Sequence, residues 1–216
     1  MNRRSSVSST ADLAPQPDAP AERRPVRERL LASADELFYR EGINNVGIDR
    51  VLEHAGVAKA SLYSTFGSKD ELVRAYLEGR HQLRITRVEA RMAKHASARD
   101  KLLAVFDSMA ELLSTPGFRG CAFLKASAEL PANERTQPVC DTYRGWVRGL
   151  FTRLAGEAGV PDPAPLVRQL VLLYDGAAVA AQMDGDTEAA KVARATAAVM
   201  LDAAIAAKKT TRAART

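Results

Sequence analysis

Lys59, Ala60, Ser61, Tyr63 and Ser64 crowd one short stretch, and Lys69 follows closely. Lys59 can neutralise a phosphate or donate to the acceptor edge of guanine, and Ser61 and Ser64 can bond to either. Ala60 can only touch a thymine methyl, while Tyr63 joins an apolar ring to a donor tip, which suits a sugar-phosphate wall. Lys69 opens a further helix, where backbone N–H groups also favour a phosphate. This chemistry holds DNA; it does not transform a substrate. His54, His81 and His95 lack metal-ligand spacing with Cys121 and Cys140, and the chain carries no nucleophile elbow, phosphate loop or zinc signature. An enzyme and a cofactor are therefore not expected. Singly, each residue of the basic and hydroxyl set suits a solvated or half-packed surface; in this order they point to DNA.

Those side chains need a short helix presented on a firm base. Ile48, Val51, Leu52 and Ala55 fall at helical spacing, Gly56 supplies a turn, and Ala58, Leu62 and Phe66 form the inward face of a second short helix. The spacing predicts helices over about 48–55 and 59–65. Before them, Pro25 suits a first helical turn, and Leu30, Ala34, Leu37 and Phe38 mark the inner face of a helix ending near Gly42. After them, Ser68 and Glu71 make a capping box that opens a long helix over about 69–95. Two short helices joined by so tight a turn are the layout of a helix-turn-helix, whose second helix enters a major groove.

The ordered motifs Leu37-Phe38 before Gly42, Ala55-Gly56-Val57, Leu62-Tyr63 with Phe66, and Ser68-Lys69-Asp70-Glu71-Leu72 resemble the DNA-binding domain of the tetracycline-repressor (TetR) family. The resemblance implies a dimer whose N-terminal helices bind operator DNA and whose divergent helical body receives a small molecule that releases it. It also makes the positions of Lys59, Ser61, Tyr63 and Lys69 typical DNA contacts. Gly47 stands where the family often has a capping Thr or Ser, so it can cap but loses a hydroxyl contact. Thr65 stands where an aromatic or His is common. Arg23, Arg24 and Arg27 precede the domain, either as an arm for the minor groove and phosphates or as a solvated cluster. The expected DNA-binding set is thus Arg27, Gly47, Lys59, Ala60, Ser61, Tyr63, Ser64 and Lys69.

Beyond residue 95 the punctuation predicts five more helices. Ser97 caps one that Pro116-Gly117 ends, a short one covers about 120–129, and another runs from Gln137-Pro138 to Ala158. Asp162-Pro163 opens one to Asp184-Gly185, and Asp186 caps the last, to about Ala207. Phe106, Met109, Phe123, Leu124, Tyr143, Trp146 and Tyr174 supply bulky apolar groups, some with polar tips. They serve as ordinary core or, as the resemblance implies, line an effector cavity. Gly176, Ala177, Ala180 and Ala181, with Ala193 and Ala197, permit close helix approach. In the family the last two helices form a four-helix dimer interface, and tight packing within one chain fits the same residues. Asp175 interrupts that apolar run and needs a partner or an interface edge. Cys121 and Cys140 fit small buried hydrophobes better than a redox pair.

A chain of 216 residues with scarce alternating runs is expected to be all-α, with about nine helices. The expected order is a disordered Ser/Ala/Pro-rich arm over 1–22, a three-helix DNA-binding domain over 23–69, an effector-binding and dimerisation body over 70–207, and a basic tail over 208–216. The net charge of +5 does not itself indicate DNA: residues 1–80 hold 12 Lys/Arg and 12 Asp/Glu, and Lys208, Lys209, Arg212 and Arg215 crowd the tail. No signal peptide or membrane span is expected, since the apolar stretch around Leu170–Met183 contains Asp175, and the simplest location is the cytoplasm. The expected function is a homodimeric repressor that binds a near-palindromic operator and is released by a largely apolar or aromatic small molecule. The alternative is a helical small-molecule-binding dimer without specific DNA recognition.

Overall fold

The computed structural model describes residues 24–130 and 136–213, the last six by their backbone alone. The expected arm over 1–22, with Arg23, lies outside the described residues. Among the described residues there are nine helices and no strand: α1 (Val26–Glu41), α2 (Ile48–Ala55), α3 (Lys59–Phe66), α4 (Lys69–Met92), α5 (Ala98–Leu113), α6 (Ala122–Glu129), α7 (Gln137–Glu157), α8 (Pro163–Asp184) and α9 (Ala189–Ala213).

Their ends follow local chemistry. Ser68 Oγ accepts from the Glu71 amide at 3.2 Å, Ser97 Oγ from Asp100 at 3.0 Å, and Asp162 from Ala164 at 3.2 Å. Gly56 closes α2 in the left-handed region (φ 61°, ψ 42°), where a side chain would be strained. Two expected ends shift. The long helix α4 stops at Met92, because Ser97 must adopt extended backbone to cap α5. The last helix continues past Ala207 to Ala213.

Leu30, Leu37 and Phe38 of α1, Val51 of α2 and Leu62 of α3 are buried together, and Leu72, Val73, Tyr76 and Leu77 of α4 close this head from the far side. The same helix then runs on into the body, where Val88 joins Leu102, Phe106, Phe151, Leu154 and Leu170. One continuous rod thus belongs to both halves.

At the other end, α8 packs along α9. Ala177, Ala181, Ala193 and Ala197 are buried within this single chain. Expected at a dimer interface, these four methyls are enclosed by packing within their own protomer. Ala180 is half-buried and Gly176 exposed. The apolar surface left open lies around the helices from these alanines: Leu172 and Met183 on α8 are 72% and 77% exposed, and Val192 and Val199 on α9 are 64% and 71% exposed. By length and composition alone α8 could cross a membrane, yet its buried side packs as a core helix does. Asp175, the charge in its midst, accepts from Arg144 of α7 at 2.7 Å.

Candidate DNA-reading face and effector cavity

The outer face of α3 carries what the sequence placed there. Lys59, Ala60, Tyr63 and Ser64 are exposed, with Tyr63 at 49%, while Ser61 is half-buried. Lys59 Nζ donates to Asp49 of α2 at 3.1 Å, and that bond raises its pKa. Ser64 and Thr65 turn their hydroxyls back onto the Ser61 carbonyl, at 3.1 and 2.6 Å. Gly47 starts α2 in extended conformation with no side-chain cap and with open space where a Cβ would stand. Arg27 is exposed beside the end of α3, its guanidinium 5.5 Å from the Phe66 ring centre.

Lys69 is placed differently from the expectation. Its Nζ donates to the Ile43 carbonyl at 2.7 Å and lies 5.9 Å from the Phe38 ring centre, and burial lowers its pKa. The loop between α1 and α2 leaves that carbonyl without a helical partner, and a lysine at the first position of α4 is within reach. Two arginines that spacing did not single out also shape the face. Arg29 clamps the turn, donating to the Ala55 and Gly56 carbonyls at 3.0 and 2.6 Å. Arg50 stands exposed on α2 and pairs with Glu41 at 3.0 Å.

In the body, α4, α5, α6, α7 and α8 enclose a cavity of about 400 Å³, within the size range of small-molecule sites. Met109, Phe123, Leu124, Tyr143 and Tyr174 line it as expected. Phe123 and Tyr143 stack with ring centres 3.8 Å apart and planes 6° from parallel. Burial, with the Tyr174 hydroxyl beside it, pushes Tyr143 well above its usual pKa, so it stays a neutral donor. Phe106 and Trp146 stand elsewhere. Phe106 is fully buried against Phe151, centres 5.6 Å apart, and Trp146 packs on His81 at 5.5 Å. Cys121 and Cys140 both reach the cavity wall as free thiols, and burial raises the pKa of each. They are protonated and poorly nucleophilic at neutral pH.

The cavity also holds charge that apolar periodicity passed over: Arg80, Arg84, Arg87 and Arg144, with Asp141 and Asp175. The signal was present on α4, where Arg84 stands at helical spacing between the buried Leu77 and Val88.

The cavity wall is tied to the head by direct bonds. Arg80 of α4 forks onto Asp35 of α1, with Nη2 to Oδ2 at 2.8 Å, and lies 3.9 Å from the Tyr39 ring centre. The Tyr39 hydroxyl donates to the Gly120 carbonyl and accepts from the Arg119 amide, both at 3.0 Å. Lys125 of α6 donates to the Tyr39 carbonyl at 2.8 Å, and Glu129 at the end of α6 accepts from the amides of Ile43 and Asn44 at 2.5 and 3.2 Å. Gly42 permits this last contact. Its φ is 94°, and a Cβ there would stand 3.0 Å from the Glu129 carboxylate.

Residues 30–76 match the family described as bacterial regulatory proteins of the tetR family. The Escherichia coli repressor NemR is 31% identical over 106 residues, covering 48% of this chain and 53% of the relative. The match thus spans about half the length of that curated relative. Among solved structures, the TetR-family regulator SCO4454 from Streptomyces coelicolor superposes with a TM-score of 0.72 and 34% identity, over 83% of this chain and 94% of that one. The Streptomyces avermitilis regulator sav143 gives 0.75 and 32%, over 84% and 98%.

Proposed function

The chain belongs to the TetR family of DNA-binding transcriptional regulators, and on that premise we propose that it is a homodimeric repressor released by a small molecule bound in the body cavity. It is not an enzyme. The observation that carries the effector half is the set of bonds from Glu129, Lys125 and Tyr39 across the head–body boundary. One of the helices that wall the cavity, α6, also holds the α1–α2 loop. A ligand that displaces α6 would shift the head, provided it binds the displaced state better than the DNA-bound one.

Two-fold symmetry would set two α3 helices into successive major grooves of a near-palindromic operator in the cytoplasm. In this reading Tyr63, Lys59 and Ser64 face the DNA, with Ser61 at the edge. Arg27 and Arg50 reach phosphates, and Lys69 braces the loop. The exposed Leu172, Met183, Val192 and Val199, with Gly176 between them, would form the dimer face. Large apolar side chains left this exposed on two neighbouring helices suit an interface.

Selecting duplexes from a random pool with the purified chain tests the DNA half. A near-palindromic consensus bound by two chains is the expected result. The alternative, a ligand-binding dimer without specific DNA recognition, is favoured by the internal partners of Lys59 and Lys69. It predicts only weak, salt-sensitive binding with no consensus.

A further inference from the structure

Arg84 is the only charged side chain among the described residues that is more than nine-tenths buried, at 6% exposure. Its Nε donates to the Tyr174 hydroxyl at 2.9 Å, and its Nη1 to the carbonyl and hydroxyl of Ser108, both at 3.1 Å. All three acceptors are neutral. Its Nη2 is buried and has no hydrogen-bond partner among the described residues. The neighbouring arginines differ: Arg80 has Asp35, and Arg144 has Asp175. The wall of the cavity carries Arg80, Arg84, Arg87 and Arg144 with Asp141 and Asp175, and Asp35 behind it answers Arg80.

A guanidinium withdrawn from water with neither a counter-charge nor a full set of acceptors is costly. A carboxylate in the cavity would supply the missing counter-charge at the wall that Arg84 lines, and planar oxyanions match a guanidinium. The rest of the wall fits the remainder of such a molecule. The stacked Phe123–Tyr143 pair, Met109 and Leu113 offer apolar and aromatic surface.

Resting on the reading of this cavity as the effector site, we propose that its ligand is an organic anion, a carboxylate borne on an aromatic or aliphatic body, with Arg84 as the residue that selects the charge. The body lies along Phe123 and Met109. The carboxylate meets Arg84, and Tyr143 stands by as a neutral donor. A neutral ligand of the same shape binds more weakly, and a cation is rejected.

Calorimetric titration of the full chain with 2-naphthoate and with the uncharged 2-naphthamide tests this. The carboxylate should bind about tenfold or more tightly than the amide, as expected for a charge-assisted hydrogen bond. Arg84→Met should remove that advantage while leaving the amide affinity within about threefold, which also shows that the variant is folded. Arg84→Lys should keep part of the preference. Met109→Trp, which fills the cavity, should abolish binding of both. Equal affinity of acid and amide for the native chain, with both lost in Met109→Trp, would overturn the proposal and leave the effector cavity standing. So would an acid preference that survives Arg84→Met. Binding of neither molecule, or binding indifferent to Met109→Trp, overturns the proposal and the cavity reading together.

Discussion

The outer face of the head and the wall of the body cavity hold their cations in different ways. On the head, Lys59 leans on Asp49 and Arg50 on Glu41, in pairs that stand in water. Such pairs are weak and readily exchanged, so both cations remain available to a phosphate. In the body, Arg84 is withdrawn from water and given only neutral acceptors. The head can meet a polyanion by trading partners. The cavity instead has a charge set into its wall in advance. Between them Arg80 and Glu129 are structural, joining the two regions through bonds that neither DNA nor ligand needs to supply.

The largest expected effect would break the separation of the two regions. Leu172→Arg places a charge on the exposed apolar face of α8, far from α3. If that face joins two chains, light scattering should report a monomer, and operator affinity should fall about a hundredfold or more as the second half-site is lost. A dimer with unchanged affinity would move the interface elsewhere.

A smaller effect tests the junction. Glu129→Ala leaves the amides of Ile43 and Asn44 without their acceptor, which should cost about 1–3 kcal/mol in urea unfolding. Hydrogen exchange should accelerate at those two amides while the buried core of α5 stays protected. Uniform exchange would mean that α6 does not hold the loop.

Lys69→Met should cost about 1 kcal/mol of stability, through the lost bond to the Ile43 carbonyl, and leave the salt dependence of DNA binding unchanged. A slope lowered by about one unit would instead place Lys69 on a phosphate. The smallest change should come from Asp49→Asn, which frees Lys59 without touching the α3 face. Affinity for every duplex should rise a few-fold and the salt slope steepen by at most about one unit, with the selected consensus unaltered. A changed consensus would give Asp49 a part in reading bases.

The sequence by itself determined the helices and the identity of the head. Ser68, Ser97 and Asp162 announce their caps through local bonds, and Ala55-Gly56-Val57 announces its turn, because these interactions span only a few residues. The exposed face of α3 was legible around its buried Leu62, although Ala58, read as an inward position, is exposed and Phe66 is half-buried. Only the tertiary structure decided what each surface meets. Ala177 and Ala197 have the composition of an interface, and the packing of one chain already buries both. Lys69 has the position of a phosphate contact, yet a carbonyl from a separate loop accepts its hydrogen bond. Phe106 and Met109 stand three residues apart on one helix, and the packing of α7 and α8 sends the first into the core and the second to the cavity. Arg84 is a break in an apolar stripe as written. Whether such a charge is paired, exposed or left waiting depends on groups that the chain brings from 24 and 90 residues away.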